Sequence, residues 1–153
     1  LNGFEVEEGH AGICHGPKFS GGCLDDCNLS GGSFINANFE GVCLFHSDFS
    51  DADLSQAEFY MCLASGANFS AAVLKNAKFI GGSFGQVCFA SADLRSASFL
   101  KDNMGGCIDL CGANFTHSQL DGAIFDGCFY DENTIFPAEF FPEFQMGLLK
   151  INN

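Results

Sequence analysis

The chain has 153 residues, of which 47% are hydrophobic, with 19 Phe and no Trp. That length suits one domain, its apolar content excludes a disordered chain, and no run approaches the roughly 18 apolar residues of a membrane helix. A formal net charge of −13 argues against direct binding to nucleic acid or to an anionic membrane, and permits basic partners.

In chain order, residues 1–16 come first. They follow no repeat, carry Gly9, Gly12 and Gly16, and read as an N-terminal cap or linker. Glu5, Glu7 and Glu8 stand where a secretory signal would have a basic stretch. The chain opens on Leu1 rather than on a methionine, which leaves room for a removed targeting segment or a further domain. His10, Cys14 and His15, with Cys23 and Cys27 nearby, are zinc-ligand types. Their spacing matches no standard site, so no metal is expected. There are 9 cysteines, and an odd number cannot pair fully in a monomer. A chain with so large a core needs no covalent staples. Mostly free thiols and a reducing, cytoplasmic setting are expected.

From Phe19 onward a period of five governs the chain. The series runs Phe19, Leu24, Leu29, Phe34, Phe39, Leu44, Phe49, Leu54, Phe59, Ala64, Phe69, Leu74, Phe79, Phe84, Phe89, Leu94, Phe99, Met104. One extra residue then enters, and it resumes at Leu110, Phe115, Leu120, Phe125, Tyr130 and Ile135. Of these 24 positions, 20 are Phe or Leu. Two residues before each centre stands a small residue, such as Ala37, Ala52, Ala57, Ala67, Ala72, Ala77, Ala92 or Ala97. Just before the centre stands Asp or Asn, as at Asn28, Asp48, Asp53, Asn68 and Asp93, and just after it often Ser. Neither the 3.6-residue period of a helix nor the two-residue period of a strand fits. Two inward residues in every five mean that the chain turns a corner every five residues. Four corners close a square coil of 20 residues, with the large side chains filling its centre. Sorted this way, Phe39, Phe59, Phe79 and Phe99 are the core centres of one column, which continues to Leu120.

The pattern A-[D/N]-[L/F]-x-x, clearest in "SDFSDADLSQAEF" (47–59) and "SADLRSASF" (91–99), closely resembles the pentapeptide-repeat family. The resemblance covers about residues 17–135. It implies an all-β fold, a right-handed quadrilateral β-helix. Twenty-four repeats predict about six coils, a rod of roughly 29 Å at ~4.8 Å per coil. On such coils Cys23 and Cys43 occupy one outward slot on adjacent turns, close enough for a disulfide. Their Cβ atoms would point the same way, which strains the bridge.

Two places leave the period. At 100–109 Asp102 falls in a small inward slot, Met104 replaces Phe or Leu, and Gly105-Gly106 carry the extra residue. Such an insertion predicts a bulge, a feature that often sits beside functional sites. At 136–153, after Thr134 and Phe136, Pro137 and Pro142 suit helix starts, and Phe140, Phe141, Phe144, Leu148 and Leu149 give an apolar face. A short helical C-terminal cap is expected there, resembling the tails of cyanobacterial members. The protein is then a monomer or a dimer through that cap.

Catalysis has no support in the sequence. Most carboxylates fall in the outward slot before a centre, where they serve turns and solubility. A convex rod offers no cleft, and neither His46 nor His117 has a nucleophile in a defensible arrangement. No enzyme activity and no cofactor are expected. The leading expectation is a non-enzymatic scaffold that binds another protein. The candidate surface is Asp53, Lys75, Asp93 and Arg95, where scarce basic residues gather, with Gly105, Gly106 and Cys107 at the bulge. One alternative is a DNA mimic that binds gyrase or topoisomerase, as some members of the family do. Against it stand a charge density well below one per ~1.7 Å and the band of Lys75, Lys78, Arg95 and Lys101. The other alternative is a structural domain of a longer protein.

Overall fold

The computed structural model describes residues 16–152. Residues 1–15, including His10, Cys14, His15 and the N-terminal cap, lie outside the described residues.

The chain is a β-solenoid of short parallel rungs. Its strands are β1 (Lys18–Ser20), β2 (Asn38–Glu40), β3 (Glu58–Tyr60), β4 (Lys78–Ile80), β5 (Ser98–Leu100), β6 (Ile108–Asp109), β7 (Ile124–Asp126), β8 (Cys128–Tyr130) and β9 (Leu148–Lys150). Strands β1, β2, β3, β4, β5 and β7 form one six-stranded parallel sheet, the Phe39 face. Going round the coil, the Leu44, Phe49 and Leu54 faces follow as ladders of single bridges, the Leu44 ladder ending in the three-stranded sheet β6–β8–β9. Among the described residues the Leu44 face is tallest. Its register runs Cys23, Cys43, Leu63, Ser83, Asp109, Phe129 and Leu149, seven rungs. The sequence count of six coils becomes about seven turns, because the tail adds a rung.

Every large centre from Phe39 to Phe99 is fully buried, as are the small residues Ala52, Ala57, Ala67, Ala72, Ala77, Ala92 and Ala97. On the Phe39 face the rings stack at centroid distances of 4.7 Å (Phe19–Phe39), 4.8 Å (Phe39–Phe59), 4.9 Å (Phe59–Phe79), 4.6 Å (Phe79–Phe99) and 4.9 Å (Phe99–Phe125). The Phe49 column meets it edge-on, with Phe39 and Phe49 at 88°. Burying each ring contributes roughly 1.5–3 kcal/mol, and the edge and stacked contacts add to it.

The corners explain the period. At three of the four corners the N–H two residues before a centre bonds back to the preceding centre's carbonyl, as in Cys27 to Leu24, Ala52 to Phe49 and Ala77 to Leu74. The residue before that N–H has positive φ, for example 54° at Asp26, 57° at Asp51 and 56° at Asn76. These are the marks of a type II turn. Short polar residues and Gly tolerate that conformation best. Among the described residues, the corner after each strand of the Phe39 face lacks this closing bond.

Three expectations are corrected. First, the insertion is longer than one residue. Ser83 pairs with Asp109, 26 positions on, where Leu63 pairs with Ser83, 20 positions on. Six residues therefore leave the coil at the open corner after β5. Met104 is 92% exposed and is no core centre. The Phe column accordingly continues to Phe125, not Leu120. Second, Asn114 pairs with Ile135, 21 positions on, so a further residue enters before the last centre. Ile135 is exposed, and Phe136 takes its place, stacked 5.4 Å from Phe115. Third, the tail is not a helical cap. Its one helical element is the 3-10 turn Pro142–Phe144, with no side-chain cap at Phe141. Gly147, at φ 84°, then brings the chain back as β9, parallel to β8. A Cβ at Gly147 would strike the backbone of Phe125 and Asp126, so only glycine permits that return. Phe136 and Phe140 cover the core, while Phe144 and Met146 stay in solvent.

Candidate functional site

The outward slots of the Leu54 face hold the charged cluster. Its ladder runs Ser33, Asp53, Val73, Asp93 and Gln119. Asp53 lies two rungs below Asp93 and is spent on its own turn, accepting the Ser55 N–H at 3.0 Å and the Ser55 hydroxyl at 2.7 Å. Asp93 is the hub. Arg95 grips it with two parallel bonds, Nε to Oδ1 at 2.8 Å and Nη2 to Oδ2 at 2.7 Å. Lys75 Nζ lies 3.3 Å from the same Oδ2. The Arg95 hydrogen bonds hold the Asp93 carboxyl down at about 2, and Lys75 adds to the effect. Asp93 in turn raises the Arg95 guanidinium.

Lys75 and Arg95 thus lie on successive rungs of one face, yet they form no free basic band. Lys78 lies 3.9 Å from Glu58, Lys101 3.7 Å from Asp126 and Lys18 3.6 Å from Glu40. These three contacts are long and solvent-exposed, worth little to stability. Their effect is on the field, since each neutralises a cation locally.

A pH consequence follows for Asp93. Its folded carboxyl sits at about 2, below the ~3.9 of an unfolded aspartate. The folded state therefore binds fewer protons in that interval. The stability it contributes is complete above about pH 4 and is lost as pH falls toward 2. Acid titration of unfolding should show a shallower loss in Asp93→Asn than in the parent over that window.

The bulge residues lie elsewhere. The excursion after β5 is organised by Asp102, whose Oδ1 accepts the N–H groups of Met104 and Gly106, both at 2.8 Å. Gly105 N–H closes on the Asp102 carbonyl at 3.0 Å. The Tyr60 hydroxyl donates to Asn103 Oδ1 at 3.1 Å, tying the loop to β3. Gly105 and Gly106 are exposed and Cys107 is half-buried. The whole Phe39 face separates this loop from the Leu54 face. The structure brings Asp53, Lys75, Asp93 and Arg95 onto one face, and does not bring Gly105, Gly106 and Cys107 to it.

The eight described cysteines are free thiols, Cys23 and Cys43 among them, although these two are paired across adjacent rungs. Burial pushes the Cys62 and Cys128 thiols up to about 12. Among the described residues no group of three or more His, Cys, Asp and Glu side chains is arranged to hold a metal ion.

Sequence reasoning missed the upper end of the rod. Asp131 accepts the Gly112 N–H at 2.9 Å and the Thr134 hydroxyl at 3.0 Å, which anchors the tail. Backbone donors led by Gly112 hold its carboxyl at about 2. Above the last rung of the Leu54 face lies a cavity of about 370 Å³, lined by Ser118, Gln119, Leu120, Asp121, Pro137, Glu139 and Phe140. A second, of about 320 Å³, opens beside His46 where Gly66 and Gly85 interrupt the side-chain ladder. The only sequence signal for either was the glycine or the end of the period.

A square solenoid built from five-residue steps defines the class to which this chain conforms. The chain belongs to the pentapeptide-repeat family. It matches the family model described as a pentapeptide repeat region over residues 32–107, and that for pentapeptide repeats in eight copies over residues 88–129. Members of this family are generally structural or interaction proteins rather than enzymes. Among solved structures it is similar to the pentapeptide repeat protein Rfr23 from the cyanobacterium Cyanothece 51142, at 18% identity over 78% of this chain and 86% of that one, with a TM-score of 0.48. It is also similar to alr5209, a pentapeptide repeat protein from Nostoc PCC 7120, at 28% identity over 80% and 84% of the two chains, TM-score 0.33. A third is QnrB1, a plasmid-mediated fluoroquinolone resistance protein, at 19% identity over 90% and 84%, TM-score 0.36. No curated protein matches the sequence.

Proposed function

We propose that the protein is a non-enzymatic scaffold that binds another protein through the side-chain ladders of its outer faces, the Leu54 face first. The observation that supports this reading is the convergence of Lys75 and Arg95 on Asp93. Three charged groups are fixed on a flat, rigid face, and the Lys75 and Arg95 side chains each remain 44% exposed. A patch held in place before contact loses little entropy on docking. Asp53 extends the same ladder two rungs below.

A second reading is a DNA mimic that binds a topoisomerase. It draws on the five ion pairs, which neutralise five of the six basic side chains and leave the excess charge of the rod acidic. One experiment separates the two. Affinity capture from the native cell should lose its main partner when Lys75→Glu and Arg95→Glu are combined. A capture unchanged by that reversal removes the Leu54 face as the docking surface. Recovery of a topoisomerase insensitive to it favours the mimic.

A further inference from the structure

The Leu44 face carries a pair of thiols that neither the coil nor the scaffold reading uses. The coil asks little of the outward slot before a centre, and elsewhere on this ladder the slot holds Leu63, Ser83 and Asp109. On two successive rungs it holds Cys23 and Cys43, which are bridge partners in register. Among the described residues no other rung pairs two cysteines. Both are free thiols, Cys23 exposed and Cys43 half-buried.

Register fixes how far apart the two side chains stand. The Cys43 N–H donates to the Gly22 carbonyl at 3.0 Å, and the Leu24 N–H to the Cys43 carbonyl at 2.8 Å. A little further on, the Phe45 N–H donates to Asp25 Oδ1 at 2.9 Å. The rungs are pinned on both sides of the pair at the spacing of neighbouring strands, ~4.8 Å, with the two Cβ atoms side by side. A disulfide needs Cβ atoms about 3.8 Å apart, so the pinned rungs oppose an S–S bond. The same spacing suits a sulfur–metal–sulfur bridge in line, which spans about 4.6 Å at ~2.3 Å per bond. Zinc does not fit, because it takes four ligands and no third His, Cys, Asp or Glu completes the set among the described residues. Copper(I) is soft, selects thiolate and accepts two ligands in line. The corner beside the pair is open to an incoming ion, since a Cβ at Gly21 or Gly41 would meet nothing within 4 Å.

We propose that Cys23 and Cys43 form a two-coordinate binding site for copper(I). The ion joins the two sulfur atoms and displaces both thiol protons to solvent. No electron is transferred, and the bridge carries one net negative charge. A hydrogen bond to Asp25 pushes the Cys23 thiol up, so its proton is held there until the ion replaces it. The bound ion would tie together two rungs otherwise joined by backbone bonds. The site goes beyond the scaffold reading and is independent of it. It lies on the side of the rod opposite the Leu54 face, so a bound ion and a partner docked at Lys75 and Arg95 do not compete.

The test uses the full chain, reduced and free of oxygen, titrated with copper(I) supplied as its bicinchoninate complex. The protein should withdraw one equivalent, and X-ray absorption should find two sulfur neighbours around the ion. Cys23→Ser and Cys43→Ser should each weaken retention by about a hundredfold or more, because a chelate becomes a single thiolate. Both substitutions are on outward side chains and should leave the melting temperature of the metal-free protein unchanged. Copper(I) should raise the melting temperature of the parent and not that of either variant. Cys88→Ser, on another face, should behave as the parent. No withdrawal of copper, equal retention by Cys23→Ser, an equal loss in Cys88→Ser, or a third sulfur neighbour would overturn the proposal. So would retention of zinc(II) by the same two cysteines, or a disulfide between them in air, which would show that the rungs close. None of these outcomes touches the scaffold reading, which the affinity capture decides.

Discussion

Phe79→Ala is expected to lower the free energy of unfolding by about 3–5 kcal/mol. Phe79 is fully buried at mid-rod and stacks on Phe59 at 4.9 Å and on Phe99 at 4.6 Å. It also meets Phe84 edge-on at 5.2 Å and Phe89 at 5.7 Å. Removing the ring loses its burial and opens a cavity bounded by four other rings that cannot move inward, since each is pinned by its own rung. Domains of this size are held by about 5–15 kcal/mol in all. The variant should therefore melt far below the parent in a thermal or urea titration. Phe19→Ala is the informative comparison. Phe19 stacks on Phe39 at 4.7 Å but is only partly buried. Its loss should be less than half as large. Equal losses at the two positions would mean that the rod does not behave as a stack of nearest-neighbour rungs.

Truncation before Phe136 is expected to have the second large effect. Phe136 stacks on Phe115 at 5.4 Å and meets Tyr130 edge-on at 5.5 Å; Phe140 covers Phe125. The tail also supplies β9, which satisfies the outer edge of β8. Without it, the rod would end on two open aromatic columns and an unpaired strand edge. Such an end is a template for association with other chains. Most of the truncated protein should appear as large aggregates in size-exclusion chromatography. Recovery of a soluble species of the expected size with an unchanged melting temperature would show that the cap is dispensable. The double replacement Phe136→Ala and Phe140→Ala in the full chain separates loss of ring cover from loss of β9.

Much of the fold was legible because one arithmetic rule governs most of the chain. A period of five with a large and a small inward residue leaves one solution, and Phe39, Phe59, Phe79 and Phe99 stack as that rule predicts. The same rule misread the excursion after Leu100. Six residues leave the coil there, and five of them are one period, so counting by fives passed straight through and placed Met104 in the core. Period alone cannot distinguish six inserted residues from one. Chemistry could have helped, because a methionine followed by two glycines is a poor core centre and a good loop. The tail failed for a different reason. Pro142 and a run of apolar residues suggest a helix, but a helix needs length to repay its nucleation. Gly147 ends the segment after one turn, and pairing with β8 offers more hydrogen bonds than a frayed helix would.

The charged surface was half legible. Lys75, Asp93 and Arg95 converge because residues 20 apart share a slot, which spacing alone predicts. Spacing does not reveal that Asp93 consumes both cations, since that depends on side-chain reach. The cavity at the rod's end was hidden altogether. It arises where the Leu54 face stops one rung before its neighbour, and nothing in Ser118 or Glu139 taken singly announces that.

The excursion between Leu100 and Cys107 bears on how such a chain changes length. In a square coil, five extra residues kept within the winding would carry every later column round by a quarter turn. Here the surplus is looped out at the one corner without a closing bond, and Asp102 ties it off. Ser98 still meets Ile124, and Asp93 still meets Gln119. The halves of the rod on either side keep a common angular phase, so a partner spanning the join reads one uninterrupted face. That corner is the place where the chain can gain or lose residues without rewriting the surface it presents.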